Sequence, residues 1–164
     1  MIARWPRPSF YVVMALAIAL DQLTKAWATA SLQPLGSVTL APGLFNLTYE
    51  CNSGIAFGMF PHQGLLVAGF VIVLALVALY YLRGLNWAGR EPNLVGGCLC
   101  GGALGNLADR SRHGYVVDFF DVHLGMHHWP IFNVADSLIC LAVGWIVLRQ
   151  IFEGKREKEK EKSF

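Results

Sequence analysis

The sequence predicts an all-α membrane protein: four transmembrane helices with a small extracytoplasmic β-sheet and a short interfacial helix. Three observations predict it. Of 164 residues, 55% are hydrophobic and only 15% are charged, where a soluble domain carries about 25%. Apolar runs long enough to cross a bilayer recur along the chain. The basic residues gather at both ends and in one middle connection. This composition excludes an ordinary soluble domain, and a net charge of +2 gives no reason to expect a nucleic-acid partner.

Taken in order, Arg4 and Arg7 with two prolines make a basic, irregular start. The first span is expected at about 9–30. A cleaved signal peptide is the rival reading: basic start, apolar Phe10–Leu20, then Ala26-Trp27-Ala28 as a small-x-small site. Asp21 and Lys25 argue for a retained span. They stand four apart with the acid first, the favoured order for a helical ion pair. In residues 31–62, Pro34, Gly36, Pro42 and Gly43 punctuate two β-prone pieces, Ser37–Leu40 and Leu44–Cys51. The glycine-broken Asn52–Phe60 stretch reads as a short helix lying on the membrane.

Residues 64–82 carry no charge and give the second span. The third, at about 94–110, holds Gly97, Gly101 and Gly105. These are two GxxxG steps, a face that lets another helix backbone come close. Residues 111–130 turn polar, with Asp118, Asp121 and four histidines. Pro130 is expected to start the last span, about 131–149. Residues 153–164 read as a frayed, charged cytoplasmic tail. Cys51, Cys98, Cys100 and Cys140 lack zinc spacing and read as small buried hydrophobes. The termini and the 83–93 connection hold ten Lys and Arg, against none in residues 31–62 and two, Arg110 and Arg112, in residues 108–130. That asymmetry places both termini in the cytoplasm and residues 31–62 and 111–130 outside.

The chemistry concentrates in Asp118 and Asp136. The second lies in an apolar run, and a carboxylate at membrane depth is costly enough to imply a partner and a task. Two carboxyls held together share one proton, so one can activate water while the other polarises a carbonyl. Asn52, Asn106 and Asn133 fall at matching depth and could bond a substrate backbone, although each alone also fits a cap or turn. Arg110 offers a fork for carbonyl or phosphate oxygens. Asp109 reads first as a helix-end charge, Asp21 and Lys25 as a structural pair, and Asp121 as a solvated loop acid. His123, His127 and His128 invite a metal, but their spacing is poor for a zinc site and no metal or other cofactor is expected.

Five blocks carry a resemblance: Asp21-Gln22-Leu23-Thr24-Lys25, Asn52-Ser53-Gly54-Ile55-Ala56-Phe57, Gly101 through Arg110, Val116-Val117-Asp118-Phe119, and Phe132-Asn133-Val134-Ala135-Asp136-Ser137. In this order they resemble the signature blocks of lipoprotein signal peptidase, signal peptidase II. The resemblance implies a bacterial inner-membrane aspartyl endopeptidase. It would remove the signal peptide from prolipoproteins, cutting before a cysteine that carries diacylglycerol. It implies one integral membrane catalytic domain over residues 1–152. It makes Asp118 and Asp136 catalytic, Asn52, Asn106, Arg110 and Asn133 substrate-binding, and Asp21, Lys25, Asp109 and Gly54 supporting. Lipidated prolipoprotein, membrane lipids and a globomycin-type inhibitor are the implied partners. Two rival classes come from the residues alone. A small proton-coupled carrier would use the intramembrane charges as an ion path. An assembly subunit would pack its glycine face on a partner.

Overall fold

The structure, a computed structural model, describes residues 6–53 and 87–162. The expected second span at 64–82 and residues 54–60 of the expected interfacial helix, Gly54 among them, lie outside the described residues; Asn52, expected to open that helix, instead ends a strand. Three long helices and a small antiparallel sheet make up the rest. Helix α1 is Pro8–Ser31, α2 is Arg90–His113 and α3 is Val134–Lys162. Strands β1 (Ser37–Ala41), β2 (Phe45–Asn52), β3 (Val116–Leu124) and β4 (His127–His128) pair in the order β1-β2-β3-β4.

Helix α1 opens with Pro8 in its first turn, where a missing N–H costs nothing. Its buried residues are Phe10, Ala17, Asp21, Lys25 and Ala28, a stripe at helical spacing. Helix α2 lies along that stripe. A Cβ on Gly101 would stand 2.5 Å from the Ala17 Cβ, and one on Gly97 would stand 2.8 Å from Val13. Gly105 faces the Asp21 carboxylate, and Gly102 faces the Ala135 carbonyl of α3. The GxxxG face is therefore used within the chain, between α1 and α2, which removes it from the assembly-subunit reading.

Among the described residues, charged and amide side chains are buried between the helices while large apolar ones face outward. Asp21, Lys25, Asn106, Asp109 and Asn133 are buried, while Leu16, Leu20, Leu23, Leu107, Leu141 and Trp145 are exposed. Among the described helices, α1 and residues Val134–Phe152 of α3 are long and apolar enough to cross a membrane. Helix α2 contains the expected third span and is about 36 Å long at 1.5 Å per residue. Its glycines, asparagines and terminal charges make it less apolar than the other two. The exposed Cys51 and Cys140 and the half-buried Cys98 and Cys100 correct the expectation of buried cysteines. For Cys98, Cys100 and Cys140, on helices whose outward faces are apolar, a thiol needs no protein cover; Cys51 lies on β2 beside the Tyr49 hydroxyl.

The sheet caps one end of the helices. Ala28 and Leu32 at the end of α1 pack with Val117 and Phe119 of β3. The 111–130 segment, read from the sequence only as polar, supplies a strand buried over Val116–Phe119. Asp121 is buried too, accepting from Asn46 Nδ2 and Thr48 Oγ1, each at 3.2 Å. This corrects its reading as a solvated acid. The last helix begins at Val134, not at Pro130. The charged run expected to fray continues it to Lys162, as befits Glu, Lys and Arg, which are good helix formers.

Candidate active site

Both aspartates sit where the sheet meets the helix ends. Strand β3 carries Asp118 and pairs with β2 so that Glu50 lies opposite Asp118 and Asn52 opposite Val116. Asn52 is thus a diagonal neighbour of Asp118, within side-chain reach. Its Nδ2 donates to Asp118 Oδ2 at 2.9 Å. The chain then makes the β3–β4 hairpin and returns to β3. The Phe120 N–H donates to the Phe132 carbonyl at 2.8 Å, and the Phe132 N–H donates back at 3.2 Å. That bridge delivers the next residue, Asn133, beside Asp118.

Asn133 also starts α3. Its Oδ1 accepts from the Asp136 N–H at 3.0 Å, and its own N–H donates to Asp136 Oδ2 at 3.2 Å. This is a reciprocal capping box built from Asn and Asp. It explains why the helix starts here: two backbone donors that the helix leaves unbonded are satisfied. The cap leaves Asn133 Nδ2 free for the site, and it donates to Asp118 Oδ1 at 2.6 Å. One asparagine therefore touches both aspartates.

Asp136 accepts a second bond from Asn106 Nδ2 at 2.8 Å. Asn106 Oδ1 in turn accepts from Lys25 Nζ at 2.8 Å and from Asn133 Nδ2 at 3.2 Å. Lys25 makes ion pairs with Asp21 at 2.9 Å and with Asp109 at 3.1 Å. Asp109, first read as a helix-end charge, is a buried partner across the α1–α2 contact. Arg110 is half-buried, with its charge acting on Asp136, Asp118 and Asp109. Burial pushes the Asp118 carboxyl up to about 7, helped by the negative charge of Asp136. The bonds from Asn52 and Asn133 and the charge of Lys25 pull the other way. A carboxyl poised near neutrality is suited to acid–base work.

The structure thus brings together Asp118, Asp136, Asn52, Asn106, Asn133 and Arg110, with Asp21, Lys25 and Asp109 directly behind. Gly54 lies outside the described residues. Sequence reasoning gave Gln22 no task. Its Nε2 donates to Asp109 Oδ1 at 2.9 Å and to the Gly105 carbonyl at 3.2 Å, and its Oε1 accepts from Arg112 Nη1 at 2.9 Å. The signal was present, since Gln22 is a second polar residue beside Asp21 in an apolar helix. His123 Nδ1 lies 3.2 Å from the Gly125 carbonyl. Among the described residues, no group of three or more His, Cys, Asp and Glu could hold a metal ion.

Residues 13–152 match the profile of a family described as Signal peptidase (SPase) II. A lipoprotein signal peptidase from Syntrophotalea carbinolica is 40% identical over 151 residues, covering 90% of this chain and 93% of that one. One from Actinobacillus succinogenes is 39% identical over 157 residues, covering 93% and 96%. The fold resembles a bacterial membrane enzyme solved by the in meso method, with a TM-score of 0.73, 26% identity and 97% of each chain covered.

Proposed function

Because the chain belongs to the signal peptidase II family, we propose that it is an aspartyl endopeptidase acting on diacylglyceryl-modified prolipoproteins. It removes their signal peptide by cutting before the lipidated cysteine. The observation that carries this reading is the pair of aspartates joined by Asn133, Asp118 buried and poised near pH 7 and Asp136 half-buried. Asp136 accepts a backbone N–H at the start of a helix, which favours its anion. It is the base that takes a proton from water. The water oxygen attacks the scissile carbonyl carbon while Asp118 gives its proton to the carbonyl oxygen. Asp136 then passes its proton to the leaving nitrogen as the C–N bond breaks, and the tetrahedral carbon's hydroxyl returns a proton to Asp118. Asn52, Asn106 and Asn133 hold the dyad and the substrate backbone, and Arg110 holds a carbonyl or headgroup oxygen.

Residues 1–152 form one integral membrane catalytic domain in a bacterial inner membrane, with four spans and both termini cytoplasmic. Supporting this, the C-terminal ends of α1 and α2 and the N-terminal end of α3 all meet the sheet. The Lys and Arg distribution puts that end outside. Lipid holds the substrate's acyl chains level with the dyad, which lowers the entropy cost of its approach. A globomycin-type inhibitor would compete for the same place. The test is a gel-shift cleavage assay on a diacylglyceryl-modified prolipoprotein, run with and without a chelator. Wild type should cleave in both lanes, whereas Asp118→Asn and Asp136→Asn should accumulate in membranes without cleaving. Full activity in either variant overturns the dyad. Activity lost to the chelator brings back the histidines.

A further inference from the structure

Lys25 is 3% exposed, and its ammonium has three donors. It has three acceptors: Asp21 Oδ2 at 2.9 Å, Asn106 Oδ1 at 2.8 Å and Asp109 Oδ2 at 3.1 Å. Each acceptor reaches onward to the dyad. Asp21 Oδ1 accepts from the N–H of Ala135 at 3.1 Å, the residue before Asp136. Asp109 Oδ2 accepts from the N–H of Val117 at 3.3 Å, the residue before Asp118. Asn106 donates straight to Asp136. We propose that Lys25 is a positioning residue for the reaction, fixing through these three acceptors the backbones that carry both aspartates and the amide that faces Asp136. The proposal rests on the dyad reading given above.

Hydrogen-bond polarity sets the orientation of the Asn106 amide. Lys25 can only donate, so it turns the Asn106 oxygen towards itself and the Asn106 NH2 group towards Asp136. Without that ammonium only the longer bond from Asn133 Nδ2, at 3.2 Å, keeps the Asn106 oxygen turned away from Asp136. Holding α1 against α2 does not require Lys25 alone. Gln22 ties α1 to Gly105 and Asp109 of α2, and Gly97 and Gly101 let the two backbones touch. What Lys25 adds is a common point from which Asp21 and Asp109 each grip one aspartate-bearing element.

Removing Lys25 alone leaves Asp21 and Asp109 buried without their cation, so the informative variants keep the charge balance. Lys25→Met/Asp109→Asn and Lys25→Met/Asp21→Asn each delete one positive and one negative charge. At least one pair should hold its Tm within about 5 °C of wild type in detergent. In that pair kcat should fall about 100-fold with KM within about threefold, the pattern of a misplaced reacting group. Lys25→Arg keeps the charge and the donors and should recover at least about tenfold of that loss in kcat. A folded pair with wild-type kcat, a loss confined to KM, or a Lys25→Arg as slow as the pairs overturns the proposal. So does failure of both pairs to fold, which would assign Lys25 to the fold alone. Asp118→Asn and Asp136→Asn run in the same assay: activity in those two sinks the dyad reading itself, whereas active pairs beside dead aspartate variants sink only the role of Lys25.

Discussion

Asp118→Asn should make the protein more stable, and increasingly so as pH rises. The folded state holds the Asp118 carboxyl near 7 against an ordinary value of 3.8. A raised folded value means that the unfolded chain has lost this proton at a pH where the folded chain still binds it. The carboxyl therefore contributes stability in acid that is lost progressively as pH rises through that window. A shift of about three units corresponds to about 4 kcal/mol above neutrality, at about 1.4 kcal/mol per unit. Of this, about 2 kcal/mol develops between about pH 5.5 and about pH 8.5. Asparagine has the same shape and does not titrate. Its oxygen can take the bond from Asn133, and its NH2 group can face Asn52 once the Asn52 amide turns over. The assay is thermal unfolding of both proteins in detergent across that pH range. The Tm of the variant should exceed that of wild type by an amount that grows with pH. A constant gap, or one that shrinks as pH rises, refutes the argument that the fold penalises the Asp118 anion.

The remaining predictions concern the helix contact and the substrate oxygen. Gly101→Ala should lower Tm, because its Cβ would stand 2.5 Å from the Ala17 Cβ. Overpacking of this kind costs about 1–3 kcal/mol. Gly144→Ala is the control: nothing lies within 4 Å of a Cβ there, and a mid-helix alanine gains up to about 1 kcal/mol. Equal Tm values for the two would refute the close approach of α1 and α2. Arg110→Lys should lower kcat/KM at least about tenfold despite keeping its charge, because an ammonium lacks the planar fork. Wild-type kinetics would make Arg110 a structural charge.

Much of the helical frame was legible in the sequence. Helix α1 starts and ends within a residue of the expected span, because a continuous apolar run between prolines leaves little choice. The glycine spacing announced a close backbone contact, although not its partner. Both early strands were visible in their β-branched residues and turn glycines. Strand β3 was harder. Val116-Val117-Asp118-Phe119-Phe120 has strand-forming residues, but burial over Val116–Phe119 erases the alternation that marks a half-exposed strand. The burial of Asp121 depends on its register opposite Asn46, which no local pattern encodes. The start of α3 was legible and was misread: Asn133 and Asp136 have capping-box spacing, a stronger start signal than Pro130. Within the site, Asp136 was legible from the cost of its charge in an apolar run, and Asp118 only as the partner which that cost implies. The Lys25–Asp109 contact was not, since it joins residues 84 positions apart through the packing of two helices.

The bridge between Phe120 and Phe132 has a consequence for how such chains can diverge. Everything between these two residues leaves the site and comes back to it, so the hairpin is a closed excursion hung from a fixed base. Its tip carries Gly125 in a left-handed turn and Met126, which is 93% exposed. Length added or removed at that tip does not alter the spacing of the two carboxyls. The interval between the aspartates in the sequence is therefore a free variable, while their separation in space is fixed by the short segments on either side of the bridge.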